Sequence, residues 1–199
     1  MNTNNIKSYA PKARVAFISA VTERAQRLGI TEQAIESANV VGDLMQIAGH
    51  SFAASQTQGR NDLIRQVQQR GFAVMVEQVA YTWFNRFCAI RYMELHGYLD
   101  HSLRVLSHPE KIGSFEILDH AQDVAADLGL DRDRIVELKL AGNKDEELYR
   151  YLLLGQCHKL HKAMPFLFEP IDGATELLMP DNLTRTDSLI RDLVNDIPE

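Results

Sequence analysis

Two cysteines in 199 residues, and no signal-like apolar leader, leave this chain without a disulfide framework. Cys88 and Cys157 sit in apolar, helix-like surroundings, so both are expected as free thiols in a reducing cytoplasm. No apolar run approaches the roughly 20 residues that cross a bilayer, so no membrane partner is expected. Positive charge is also short: 21 Lys and Arg against 27 Asp and Glu give a net charge of −6. That balance argues against the whole surface serving as a nucleic-acid platform. There is no internal repeat and no low-complexity tract. Metal-binding spacings are missing too, since no CxxC pair and no HExxH occurs.

What is present is enough apolar residue, 45%, to bury a proper core in a single domain spanning residues 1–199. The densest stretch runs from Gly71 to Leu99. Phe72, Val76, Val79, Trp83, Phe87 and Ile90 recur at helical spacing, and Val74, Tyr81, Phe84, Cys88 and Tyr92 fall on other faces. This reads as a central helix, about 72–95, covered nearly all round. Its charged members Glu77, Arg86, Arg91 and Glu94 must reach a gap in the cover or be paired within it, because an isolated buried charge is too costly.

Around it the pattern predicts a mainly α fold of seven to nine helices. Pro11 suits the first turn of a helix carrying Phe17, Ile18, Val21, Ala25 and Leu28 up to Gly29. Thr31 is placed to cap a short helix containing Ile35. Alternation in DLMQIAGHSFA predicts a small β-hairpin near residues 43–53, and residues 54–60 read as a polar loop before a helix capped by Asn61 or Asp62. Ser114 is positioned to cap a helix bearing Phe115, Leu118, Ala125 and Leu128, and Asp131 opens the next. Asn143 and Glu146 make the spacing of a capping box for a helix to about Ala163. Pro165 and Pro170 then predict an extended passage, FLFEPIDG, and a last amphipathic helix begins near Thr186.

Charge is uneven along the chain. Residues 1–30 hold Lys7, Lys12, Arg14, Arg24 and Arg27 against Glu23, whereas residues 169–199 hold eight acids against Arg185 and Arg191. Such sparse blocks read first as two solvated faces that attract each other. His158 and His161 lie on one helix beside Cys157 but lack further ligands in any recognisable spacing, so no metal site is expected. Asp131, Asp133, Glu137 and Lys139 have the composition of a magnesium-dependent nuclease site. Those sites present their last two residues along a strand, and Ile135 and Leu138 favour a helix here, where positions two apart do not face each other.

The stretch AYTWFNRFCAIRYMELHGYLDHSLRVLSHPE (80–110), together with MNTNNIKSYAPKAR, LLLGQCHKLHKAMPFLFEP and LLMPDNLTRTDSLIRDLV, resembles the start of the PglX family. These are the adenine-specific DNA methyltransferases of type 1 BREX phage-defence systems. The signature positions are Trp83, Phe84, Asn85, Arg86, Arg91 and Glu94. Members of that family are several times longer, so the resemblance implies an N-terminal helical segment with the methyltransferase domain downstream. It also implies S-adenosylmethionine as cofactor of the parent, double-stranded DNA and other BREX proteins as partners, and a cytoplasmic setting. The chemistry itself is not expected here. No glycine cluster forms a cofactor turn, and with no Pro-Pro pair there is no Asn-Pro-Pro-aromatic motif to grip a flipped base. No catalytic, cofactor-binding or metal residue is therefore assigned. If the segment docks the catalytic domain and clamps DNA, Lys7, Lys12 and Arg14 are the candidate phosphate contacts. The alternative is a protein-interaction module with no direct DNA contact.

Overall fold

The apolar repeat beginning at Phe72 does form one uninterrupted helix ending at Leu95. In chain order the computed structural model, which describes residues 3–165, 168 and 173–198 (side chains of residues 3 and 4 aside), places α1 at Thr3–Arg27, β1 at Asn39–Val41, β2 at Leu44–Ile47 and β3 at His50–Ala53. Helix α2 spans Thr57–Arg70 and α3 spans Phe72–Leu95. Two single-turn helices follow, α4 (Glu116–Asp119) and α5 (Ala125–Leu128), then α6 (Arg132–Leu140) and α7 (Asp145–Ala163). The described residues end with α8 (Gly173–Leu177) and α9 (Leu189–Asp196). The chain is mainly α, as its periodicity predicts.

These elements fall into two compact units, to both of which α1 and α3 contribute residues. The first comprises Arg14–Phe84 and Ile171–Asp181. Phe17, Val21 and Ala25 form its buried α1 stripe, and Leu28 just past the helix end is buried too. Gly29 ends the helix with φ +66, and a Cβ there would meet Ile47 and Glu36 at 2.5 and 2.6 Å, so only glycine fits. The strands form an antiparallel meander, β1-β2-β3. Met45 pairs with both Val40 and Phe52. Met45 and Ile47 point inward while Leu44 and Gln46 face out, the period of two expected of a half-buried strand. Helix α2 packs on α8. Buried Arg60 donates from Nε to the Leu28 carbonyl at 2.8 Å and from its terminal nitrogen to the Glu36 carbonyl, closing off the chain beyond α1.

The second unit comprises Met1–Ala13, Asn85–Pro170 and Asn182–Glu199. Helix α7 is its axis, with Leu148, Tyr149, Leu152, Leu153, Cys157 and Leu160 buried against α4, α5 and α6. Tyr149 stacks on Phe115 with ring centroids 4.2 Å apart and donates its hydroxyl to the Val105 carbonyl at 3.0 Å.

Several expectations need correction. Pro11 lies inside α1, which starts two turns earlier; the ring removes one hydrogen bond but does not stop a helix already under way. No helix forms at Thr31: its Oγ accepts from the Ala34 amide at 3.0 Å, and Ile30 bridges Ile35, so the side chain satisfies a turn instead. The hairpin at 43–53 gains a third strand, β1, and residues 54–60 are helical rather than loop, a 3-10 turn running into α2. The helix expected from Ser114 is two separate turns. Phe115, not Ser114, stands at the start of α4 without a side-chain cap. The Asn143–Glu146 capping box does not form, and Lys144 precedes α7 without a side-chain cap. Glu146 instead accepts from the Leu183 amide at 2.8 Å and from both the amide and hydroxyl of Thr184. On α3, Val74, Tyr81 and Tyr92 are exposed, so the rod has one open stripe rather than cover all round. The FLFEPIDG passage lies mostly outside the described residues.

Candidate functional site

Lys7 and Lys12 both project from the first half of α1 into solvent. Among the described residues neither enters an ion pair. Five positions apart on an α-helix they diverge by about 140°, so they reach to two sides rather than forming one patch. Arg14 is exposed as well but is held in an ion pair by Glu77 of α3. Arg24 and Arg27 are engaged by Asp181, at 3.3 and 3.1 Å. Arg24 also donates to the Leu177 carbonyl at 2.8 Å and lies over the Phe52 ring. The basic start and acidic end of the chain therefore do meet at one point.

The six signature residues of α3 are largely interior. Trp83 is fully buried, its indole nitrogen 3.3 Å from the Thr175 carbonyl, which leaves no face for a nucleobase. Phe84 meets Phe17 edge-on at 5.9 Å, Asn85 is half-buried, and Arg86 is buried. Arg91 and Glu94 form a buried ion pair at 2.7 Å. Glu94 also accepts from the amides of Val105 and Leu106 and from the Ser107 hydroxyl, while Arg91 donates to the Ile197 carbonyl at 3.0 Å. One buried carboxylate thus shapes the loop after α3, as pairing within the cover demands.

That loop and α9 enclose a cleft of about 400 Å³. Arg91, Arg104, His108, Lys111 and Arg191 line it, and among the described residues no carboxylate does. His108 accepts the amides of Glu110 and Lys111 on Nδ1, both at 3.0 Å, which leaves its Nε2 facing Asp119 at 3.4 Å. Lys111 is ion-paired with Asp119 as well, and this contact, ahead of the nearby His108 charge, holds the Asp119 carboxyl below its ordinary range. Arg191 differs from these. It is 8% exposed, lies over the Phe115 ring at 4.5 Å and donates to the Gly113 carbonyl, but its Nε is buried with no hydrogen-bond partner. Burial lowers its pKa. The sequence hinted at this site only through Arg191, one of two basic residues in an acidic tail, about 80 positions from the loop it meets.

The other candidate chemistries do not assemble. His161 Nδ1 lies 2.6 Å from the Phe168 carbonyl, and His158 is exposed. Among the described residues no group of three His, Cys, Asp or Glu side chains is placed to hold a metal. Asp131 caps α6, accepting the Asp133 and Arg134 amides. Glu137 pairs with Arg134 at 2.8 Å, and Lys139 reaches the carbonyls of Leu118 and Asp119, so these residues point to separate partners. Neither cysteine forms a disulfide, and burial pushes the Cys88 thiol up to about 12. No described helix is long and apolar enough to cross a membrane.

No family model matches the chain. It is similar over its whole length to the adenine-specific methyltransferase BrxX of Escherichia coli O9:H4 (strain HS), at 55% identity over 205 residues, 17% of that protein. It is 30% identical over 221 residues to the adenine-specific methyltransferase PglX of Lacticaseibacillus casei (strain Zhang), again along the whole chain and 18% of that protein. The chain thus spans less than a fifth of the length of these relatives.

Proposed function

We propose, for a chain that belongs to the BREX adenine-specific methyltransferases as an N-terminal segment of that family, a role apart from the chemistry. These residues dock the downstream catalytic domain and clamp double-stranded DNA while that domain, with S-adenosylmethionine, methylates host DNA in the cytoplasm. The observation that carries this reading is the pair of solvent-facing lysines, Lys7 and Lys12, left without carboxylate partners among the described residues. Phosphate contacts of this kind position a duplex without reading its bases.

The test is DNA binding by the full-length enzyme as a function of salt. Replacing Lys7 and Lys12 by Gln should weaken binding equally across sequences and flatten the salt slope by about 0.9 for each lysine that meets a phosphate. Arg14→Gln should do less, because Glu77 already holds that charge. An unaltered slope in the Lys7/Lys12 variant overturns the clamp. The 199 residues alone should neither bind S-adenosylmethionine nor methylate DNA, and saturable cofactor binding in calorimetry would count against a non-catalytic role.

A second reading, recruitment of other BREX proteins with no direct DNA contact, is favoured by one feature. Tyr92 and His96 stack at 4.2 Å with Tyr98 beside them, all three exposed, and aromatic groups of this kind are enriched at protein interfaces. Replacing Tyr92 and Tyr98 by Ser should then abolish co-purification of BREX components while leaving the salt slope intact.

A further inference from the structure

The cleft between the loop after α3 and α9 carries an uncompensated cation. Arg91 is matched by Glu94, and Lys111 and His108 share Asp119. Among the described residues Arg191 has only a carbonyl and a ring face, with its Nε buried and unpartnered. Among the described residues no carboxylate lies within ion-pair distance of it. A guanidinium kept in such a place is costly unless an anion reaches it, and burial acts on Arg191 in the direction that an anion would reverse.

We propose that this cleft binds the phosphate group of a small phosphate monoester. Arg191 lies at the binding wall, and Arg104 and Lys111 share the lining, so a dianion gains more here than a single carboxylate does. The volume of about 400 Å³ falls within the range of small-molecule pockets and exceeds what one phosphate fills. The surplus space is bounded by Ile112, Val194 and Pro198, which offer an apolar seat for the organic part of the ester. A buried arginine also disfavours a duplex, whose phosphates lie on a convex surface and are met by projecting lysines such as Lys7 and Lys12. The site is thus separate from the DNA clamp, and failure of the Lys7/Lys12 test leaves it standing.

Calorimetric titration of the 199-residue chain with phenyl phosphate and with inorganic phosphate, at matched ionic strength, should show one saturable site that prefers the ester. Arg191→Gln should weaken it by about tenfold or more, the loss expected when a charge-assisted contact goes. Since Arg191 also holds Gly113 and covers Phe115, the second variant is Thr186→Glu. This exposed lining residue would bring a carboxylate to the cleft without touching those contacts, and it should cause a similar loss at an unchanged melting temperature. No saturable heat from either compound, equal affinity for acetate, binding that Thr186→Glu leaves intact, or heat from a short duplex alone would each overturn the assignment.

Discussion

Arg91 Nη1 stands 2.7 Å from Glu94 Oε1 within one turn of α3, with 2% and 7% of the two residues exposed. Glu94 Oε2 simultaneously takes the amides of Val105 and Leu106 at 2.8 and 2.7 Å. The pair therefore anchors the loop that forms one wall of the basic cleft. Because both charges are desolvated, removing one leaves the other uncompensated, which costs more than the pair contributes. Glu94→Gln should lower stability by about 3 to 5 kcal/mol in urea unfolding. The double variant Arg91→Met, Glu94→Gln should lose less than the sum of the two single losses. Additive losses would show that the two side chains act independently.

Trp83→Ala should cost about 3 to 5 kcal/mol, the usual range for truncating a buried aromatic, and a large share of a domain's total. The ring is wholly covered in its unit. A melting temperature equal to that of the parent chain would mean that the indole is not part of the core.

Cys88 supplies a pH dependence. Its folded pKa, raised by burial from 9.0 to about 12, exceeds that of the unfolded chain. The unfolded state then sheds this proton first as pH rises, so the stabilising contribution is fully present below about 9 and is lost between about 9 and 12. The Cys88→Ala variant should show a shallower fall in stability across that window. At pH 8 the native thiol should react slowly with iodoacetamide and much faster once denatured, since the thiolate is the nucleophile. Rapid native alkylation at position 88 would contradict the burial.

Long periodic elements were legible in the sequence because their signal is local. The bounds of α3, and the end of α7 at Ala163, follow from apolar residues three and four apart whatever surrounds them. Features set by distant partners were not legible. Strand β1 exists because Val40 has Met45 to pair with, and the polar run at 54–60 is helical because α2 has α8 to lean on. Glu146 had the right spacing for a capping box, but a carboxylate able to take three bonds at the Leu183–Thr184 turn satisfies more donors there than at its own helix start. The basic cleft was invisible for the same reason. Its wall joins Arg104 and Lys111 to Arg191, and neither stretch alone has a motif.

Gly59 offers the sharpest conflict between local and tertiary preference. It sits in the first turn of α2, where alanine has the better helix propensity by about 1 kcal/mol, so a reading of α2 alone makes Gly59→Ala stabilising. A Cβ built there, however, would lie 2.7 Å from the carbonyl oxygen of Gly173 and 3.0 Å from a Leu177 methyl. The first of these is backbone at the start of α8 and cannot swing aside as a long side chain would. Relief requires α8 to move off α2, opening the contact between them, and overpacking of this kind typically costs about 1 to 3 kcal/mol. Gly59→Ala is therefore expected to destabilise the chain by about 1 kcal/mol or more in urea unfolding, whereas Gln66→Ala, at an intermediate position farther along the same helix, should change stability little. A higher midpoint for Gly59→Ala would show that α8 does not press on α2 at this point.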